Sequence, residues 1–170
     1  MDFTRKARWV LDGHKYEAPT ISSYAGVVSR ESIRIALNYA ALNDLDVFAA
    51  DIQNAYLQAP SSVKHYITCG RDFGLENVGK RALIICALYG CKTAGRDFRN
   101  HLRACMKDIL NFKSCRADPD IWMRASIKDT DEEYYEYVSL HTDDALVVSH
   151  KSEAILRYEL GEYFASKKSQ

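Results

Sequence analysis

Few residues of this 170-residue chain break a regular backbone: it has three prolines and eight glycines, with no repeat and no low-complexity stretch. No apolar run approaches the roughly 18 residues of a membrane-spanning helix, and the first ten residues, MDFTRKARWV, lack the apolar stretch of a signal peptide. Five cysteines are an odd number without a CxxC pair, which argues against a disulfide framework. We therefore expect an intracellular protein that is neither secreted nor bound to a membrane.

The chain also has no net charge, because 23 basic side chains balance 23 acidic ones. The balance hides a segregated pattern, since residues 64–128 carry thirteen basic and six acidic side chains and residues 129–163 carry two and ten. Solvated helix faces explain such a pattern, and so does a phosphate-binding track beside a carboxylate-rich metal site. Composition leaves both interpretations open.

Helices and strands alternate irregularly along the chain, which predicts one compact α+β domain over residues 1–170. Ser29 is placed to cap a helix over about 29–43, and the apolar strand 47–50 ends at Asp51. The other predicted elements are strands at 5–11, 66–68, 82–85 and 120–127, a helix over about 93–110, a hairpin of strands 135–140 and 145–149, and a last helix from Ser152. The expected buried stripe of the helix over 93–110 is Phe98, Leu102, Cys105, Met106 and Ile109.

Three carboxylates fall at strand ends. Asp51 closes one strand, and Asp143 with Asp144 lies at the tip of the predicted hairpin, where an Asp pair is also an ordinary turn signal. A sheet that pairs the first strand with the hairpin would bring the three together, and crowded carboxylates need a cation. Oxygen ligands select hard ions such as Mg²⁺, and two ions about 3.5–4 Å apart can clamp the attacking and leaving oxygens of a phosphoryl transfer.

Five stretches in order resemble one known family. Residues 6–10 (KARWV) resemble K-A-R-L-V, residues 32–34 are the S-I-R of the next helix, and residues 51–57 (DIQNAYL) are similar to D-V-x-N-A-F-L. Residues 87–96 (ALYGCKTAGR) are similar to A-L-Y-G-L-K-Q-A-P-R, and residues 140–144 (LHTDD) lie where the family has V-Y-V-D-D. The chain thus resembles the reverse transcriptase domain of copia-type LTR retrotransposons over about 140 residues.

The resemblance implies a right-hand polymerase fold, with the fingers and most of the palm present, an antiparallel palm sheet packed on helices, and the thumb absent. It implies RNA-directed DNA synthesis, in which a primer 3′-OH attacks the α-phosphate of a dNTP and pyrophosphate leaves. The expected partners are an RNA or DNA template with its primer, dNTP, and downstream thumb and RNase H segments of a polyprotein. The expected compartment is the cytoplasm, in a virus-like particle, or the nucleus.

The resemblance also implies roles for single residues. The ligands of two Mg²⁺ ions, with Mn²⁺ as a substitute, would be Asp51, Asp143 and Asp144. The nucleotide-binding residues would be Lys6, Arg8, Tyr56, Tyr89, Gly90 and Lys92, with the Tyr56 ring excluding a ribose 2′-OH by shape. The contacts to the nucleic-acid backbone would be Arg96, Arg99 and Arg103.

The chain departs from the family pattern at four positions. His141 and Thr142 stand where the family has Tyr and Val, and Thr93 and Gly95 stand where it has Gln and Pro. The departures leave two rival hypotheses beside the polymerase. One is a degenerate, non-catalytic fragment that retains the fold and at most binds nucleic acid, and the other is an interaction module with neither activity.

Overall fold

The structure is a computed structural model that describes residues 8–17 and 19–165. Its α-helices and strands before the C-terminal helix are, in chain order, α1 Arg30–Leu42, β1 Asp46–Asp51, β2 Pro60–Thr68, β3 Arg81–Cys86, α2 Ala94–Ala104, β4 Lys113–Ser114, β5 Ile121–Ile127, β6 Glu133–His141 and β7 Asp144–Ser149. A π-helical stretch, Cys105–Ile109, continues α2. The C-terminal helix consists of α3 Ser152–Ala154, a π-helical stretch Ile155–Leu160, and α4 Gly161–Tyr163. The described residues also include short 3₁₀ helices, which are Gly13–Lys15, Ala55–Gln58, Arg71–Phe73 and Leu75–Asn77.

The chain divides into two compact units. The first unit comprises residues 1–24 and 56–98, and the second unit comprises residues 25–55 and 99–170. The α+β class with antiparallel sheets is confirmed. The single domain over 1–170 stays a prediction.

The second unit is built on a five-stranded antiparallel sheet. Its strand order is β1-β7-β6-β5-β4, so the hairpin of β6 and β7 lies at the centre and β1 pairs with β7. The predicted strand before Asp51 and the predicted hairpin are both confirmed. Buried side chains of β7, Val147 and Val148, point to opposite sides of the sheet, so both faces of this strand are covered by apolar groups.

Helix α1 packs on one face of this sheet through Ala36 and Ala40, which contact Val148 within a buried cluster. Its start is capped as predicted, since the Ser29 side chain accepts a hydrogen bond from the Ser32 amide at 3.1 Å. The Asp118 carboxylate then accepts bonds from the Ser29 amide at 2.9 Å and the Ser32 hydroxyl at 2.7 Å. Partial burial opposes ionisation of Asp118, but these bonds and one from the Asp120 amide outweigh it, so the pKa of Asp118 is lowered.

A buried ionic network joins β5, β6 and the C-terminal helix. The Arg124 guanidinium donates to Glu136 at 2.8 Å and to Glu159 at 2.8 Å, and it lies 4.3 Å from the centre of the Phe112 ring. The Glu136 carboxylate also accepts bonds from the hydroxyls of Ser149 and Tyr134. Every oxygen of this buried acid is therefore matched by a donor, which is the condition under which a buried charge is tolerated.

The first unit contains a two-stranded antiparallel ribbon of β2 and β3. Strand β2 is longer than the predicted 66–68, because the alternation of exposed and half-buried residues extends back to Pro60. The predicted strand at 5–11 is wrong for residues 8–11, which form no strand and are held by the Leu11 amide donating to the Tyr89 carbonyl at 2.7 Å. Residues 5–7 lie outside the described residues.

The helix predicted over 93–110 is confirmed as α2 and its π-helical continuation. Four members of the expected stripe are buried, namely Phe98, Leu102, Cys105 and Met106. Ile109 is 46% exposed, so its placement in the stripe was wrong. The wider π-helical turns over 105–109 rotate it out of the 3.6-residue repeat on which the prediction depends.

Within the described part of the chain, no helix is both long and apolar enough to cross a lipid bilayer.

The tip of the β6–β7 hairpin has an unusual backbone. The last cross-strand pair is His141 with Asp144, which leaves Thr142 and Asp143 as a two-residue turn. Thr142 has a φ of 55°, in the left-handed region that a β-branched residue rarely adopts. Turns with a positive φ at this first central position favour glycine, so the hairpin is strained beside its two aspartates.

We expect Arg124→Met to destabilise the second unit strongly, because it leaves the carboxylate of Glu136 buried without its cation. The free energy of unfolding should fall by about 3 kcal/mol. The control Arg157→Met removes an exposed pair with Glu153 and should cost less than about 1 kcal/mol. Urea titration followed by Trp122 fluorescence, in a Trp9→Phe background, measures both variants. Equal losses would show that the network contributes nothing special.

We expect Thr142→Gly to stabilise the second unit by about 1 kcal/mol, because the strain relieved at φ 55° exceeds the cost of glycine's greater freedom in the unfolded chain. Thr142→Val, which keeps the β-branch, should leave the urea midpoint unchanged. A glycine variant no more stable than the valine variant would rule out strain at this turn.

Candidate active site

Two of the three predicted acids lie directly opposite one another. In the pairing of β1 with β7, Asp51 is the cross-strand partner of Asp144. Opposed residues of an antiparallel pair have Cα atoms about 4.5–5.5 Å apart and side chains on the same face. The ladder continues past them, since the Ile52 amide donates to the Asp143 carbonyl at 2.7 Å. The register therefore brings Asp51 to the hairpin tip that carries Asp143 and Asp144.

A third ionisable side chain joins this row. His141 of β6 is the cross-strand partner of Asp144, so Asp51, Asp144 and His141 follow one another across three strands on one face of the sheet. They line a groove of about 450 Å³ in the second unit, with Val28 and Ile33 on another side.

The floor of the groove is formed by Ala49 of β1, Leu146 of β7 and Ser139 of β6, which are cross-strand neighbours in one row. Ala49 lies two residues before Asp51 and Ser139 lies two residues before His141, so each is on the same face of the sheet as the residue that follows it. Both line the groove. The Ser139 side chain is buried, and its hydroxyl has no hydrogen-bond partner among the described residues. The period-two alternation of β1 and β6 could have identified both positions once the sheet pairing was known.

The donor atoms at the tip are of the kind that Mg²⁺ prefers. Carboxylate oxygens are hard ligands, and Asp51 and Asp144 offer them from one face of the sheet, with Asp143 adjacent in the turn. Within the described residues, no three His, Cys, Asp or Glu side chains converge into a ready metal-binding cluster. The chemistry of the donor set thus fits a divalent cation, while the predicted three-carboxylate site stays a prediction.

In the first unit, three of the predicted nucleotide-binding residues form one aromatic and cationic cluster. The Arg8 guanidinium lies 4.1 Å from the centre of the Tyr89 ring, and the Tyr56 ring centre lies 5.0 Å from that of Tyr89. Tyr56 also lies 6.3 Å from the ring of Phe98. These contacts fix the Tyr56 ring in place, as a shape-selecting ring would require. Lys6 lies outside the described residues.

Gly90 and Lys92 hold the segment between β3 and α2 against residues 11–16. Gly90 has a φ of 86°, and a Cβ there would collide with the Leu11 carbonyl oxygen, so this position accepts only glycine without rearrangement. The Lys92 ammonium donates to the Tyr16 carbonyl at 2.7 Å. Both residues therefore have a structural role in the first unit, whatever they bind.

The three predicted phosphate-contacting arginines have different surroundings. Arg99 makes a two-pronged ion pair with buried Asp120, at 3.0 and 2.8 Å, and Arg103 donates to the Pro119 carbonyl at 2.8 Å and lies 5.1 Å from the Trp122 ring centre. Arg96 is half-buried. Sequence reasoning missed Asp120 because it read the residue only as the start of a strand.

Comparison with known proteins gives a consistent picture. A family model described as "Reverse transcriptase (RNA-dependent DNA polymerase)" matches residues 1–167. The chain is 28% identical over 169 residues to the "Retrovirus-related Pol polyprotein from transposon TNT 1-94" of Nicotiana tabacum, and the alignment covers 95% of this chain and 12% of that polyprotein. No solved structure gives a significant match. The predicted relationship to copia-type elements is confirmed, and the chain belongs to the reverse transcriptase family.

Proposed function

We propose that this chain carries out RNA-directed DNA synthesis for a retrotransposon, transferring the nucleotidyl group of a dNTP to a primer 3′-OH. The observation that carries the proposal is the cross-strand pairing of Asp51 with Asp144, because it brings acids that are 93 positions apart in sequence to one sheet edge. Membership of the reverse transcriptase family supports the reaction class.

The reaction forms a bond between the primer 3′-oxygen and the α-phosphorus of the dNTP and breaks the bond from that phosphorus to the departing pyrophosphate. The 3′-hydroxyl proton passes to solvent water as the bond forms. Asp51, Asp143 and Asp144 would hold the divalent ions. When bound, the ions stabilise charge on the attacking and leaving oxygens. The carboxylates themselves would keep those ions at the sheet edge.

The groove beside the acids is proposed to take the end of the primer strand. Small side chains, Ala49 and Ser139, lie on either side of Leu146 on its floor, and His141 lies in the same row as the acids. Groups on paired strands are held by the ladder rather than by a loop, which favours the fixed placement that nucleotidyl transfer needs.

The first unit is proposed to bind the incoming nucleotide. Arg8 and Lys92, with Lys6, would contact the triphosphate as cations, and the Tyr89-Gly90 turn would lie near the base or the template. Tyr56 would select deoxynucleotides by shape, because its contacts with the rings of Tyr89 and Phe98 favour one position of its own ring.

The two units are proposed to correspond to the fingers and the palm of a right-hand polymerase. The second unit, with its five-stranded sheet and the acids, would be the palm, and the first unit, with the β2–β3 ribbon, would belong to the fingers. The chain spans 12% of its relative, so the thumb and RNase H segments of the whole polyprotein are proposed partners.

We expect Mg²⁺-dependent dNTP incorporation on a primed RNA template to be weak in this chain and to fall by about 10²-fold or more in Asp51→Asn and Asp144→Asn. Weak activity is expected because positioning of the duplex supplies much of the rate, and the thumb, which would hold the duplex, is one of the proposed partner segments. The control Asp46→Asn, at the exposed opposite end of β1, should stay within about twofold of the wild type.

A second measurement applies if synthesis is too weak to follow. Titration with Mn²⁺, detected by the loss of its free electron paramagnetic resonance signal, should show binding to the wild type and to Asp46→Asn but not to Asp51→Asn. Equal binding by all three proteins would contradict the metal site and favour the non-catalytic fragment.

A further inference from the structure

The β2–β3 ribbon has one face that the proposed reaction does not use. Alternation along both strands places Lys64, Tyr66 and Thr68 of β2 and Arg81, Leu83 and Ile85 of β3 on its exposed side. Tyr66 is directly opposite Leu83, and Thr68 is opposite Arg81, so these side chains form one continuous surface. We call these six residues the ribbon face.

The ribbon face is positively charged. Lys64 and Arg81 are its charged members, and neither β2 nor β3 contains an acidic residue. Among the residues that the structure describes, neither side chain forms an ion pair, whereas Arg99, Arg103 and Arg124 are all paired with carboxylates. The charges on this face are therefore available to an anionic partner.

The face also presents an aromatic ring with a guanidinium fixed against it. The Arg81 guanidinium carbon lies 4.9 Å from the centre of the Tyr66 ring, and that tyrosine is 47% exposed. A stacked guanidinium keeps the N–H groups on its edge available for a phosphate, and the ring offers a flat surface for a base. Leu83 and Ile85, which are 44% and 73% exposed, extend the apolar strip beside the ring.

We propose that the ribbon face binds a single strand of nucleic acid, with a base stacked on Tyr66 and phosphates contacted by Arg81 and Lys64. Rings beside cations bind unpaired bases, whose faces are accessible, whereas a duplex hides its base faces. Because the reaction proposed above uses a template, the natural occupant is an unpaired stretch of that strand, and in this respect the inference rests on the proposed function. A protein partner on the same apolar strip is the competing occupant.

The test measures binding of a fluorescein-labelled oligo(dT) and of a blunt hairpin duplex by anisotropy, with the whole chain, in EDTA. We expect Tyr66→Ala to weaken oligo(dT) binding by about 5- to 100-fold and Tyr66→Phe to retain it. The control Tyr158→Ala, which removes a highly exposed tyrosine from the C-terminal helix, should change nothing. Duplex binding should be affected far less.

The charge contribution is measured separately. Arg81→Gln should lower the slope of log affinity against log salt by about 0.7, the value for one phosphate contact on a single strand. The control Lys107→Gln, at an exposed site in the second unit, should leave the slope unchanged. Circular dichroism establishes that each variant is folded.

Three outcomes decide between the occupants. Selective loss of oligo(dT) binding in Tyr66→Ala and Arg81→Gln supports the inference. Equal binding by these variants and their controls overturns it. The third outcome concerns Leu83→Glu. If this variant binds oligo(dT) normally but loses a protein complex that the wild type forms in sedimentation, the inference is overturned in favour of a protein partner. Because the assay contains no metal and no dNTP, its failure is distinct from a failure of synthesis.

Discussion

The antiparallel pairing of β1 with β7 is the interaction on which the candidate site depends. A shift of one residue in this register would turn Asp51 to the opposite face of the sheet from Asp144, since side chains alternate at every position. The register is held by burial on both faces of β7, where Val147 and Val148 are fully covered, and by the hydrogen bond from the Ile52 amide to the Asp143 carbonyl. Hydrophobic packing thus places two acids side by side, although such packing makes no direct contact with any substrate.

The hairpin that carries Asp143 and Asp144 has a strained backbone at its turn. Thr142 is in a left-handed conformation that suits glycine, and the strain is tolerated because β6 and β7 are paired along their length and packed on α1. Strain of this kind is common where a backbone must present side chains at a fixed angle. The hydrogen bonds of Arg124 with Glu136 and Glu159 join β5, β6 and the C-terminal helix at the end of the sheet away from this turn.

Sequence reasoning worked where one local signal dominated. The apolar strand before Asp51, the Ser29 cap and the β6–β7 hairpin were predictable because apolar patterning, capping chemistry and a tight connection of residues 141–144 each favoured the observed element. The strand predicted at 5–11 failed for residues 8–11, because this short run of basic and apolar residues pairs with no strand among the described residues and instead contacts Tyr89 through Arg8 and Leu11. The pairing of Arg99 with Asp120 and the row formed with His141 could not be predicted, since both depend on which distant segments meet. The family resemblance identified the acids, whereas the sheet pairing was needed to bring them together.

The most direct test of the central claim is disulfide formation between β1 and β7. Opposed residues of an antiparallel pair are within the Cα separation that a disulfide spans, so the double variant Asp51→Cys with Asp144→Cys should cross-link under mild oxidation, as shown by mass spectrometry of the linked peptides. The control double variant, Asp51→Cys with Ala145→Cys, puts the second thiol on the other face and should not. Cross-linking of the control but not of the Asp51 and Asp144 pair would contradict the register and, with it, the proposed site.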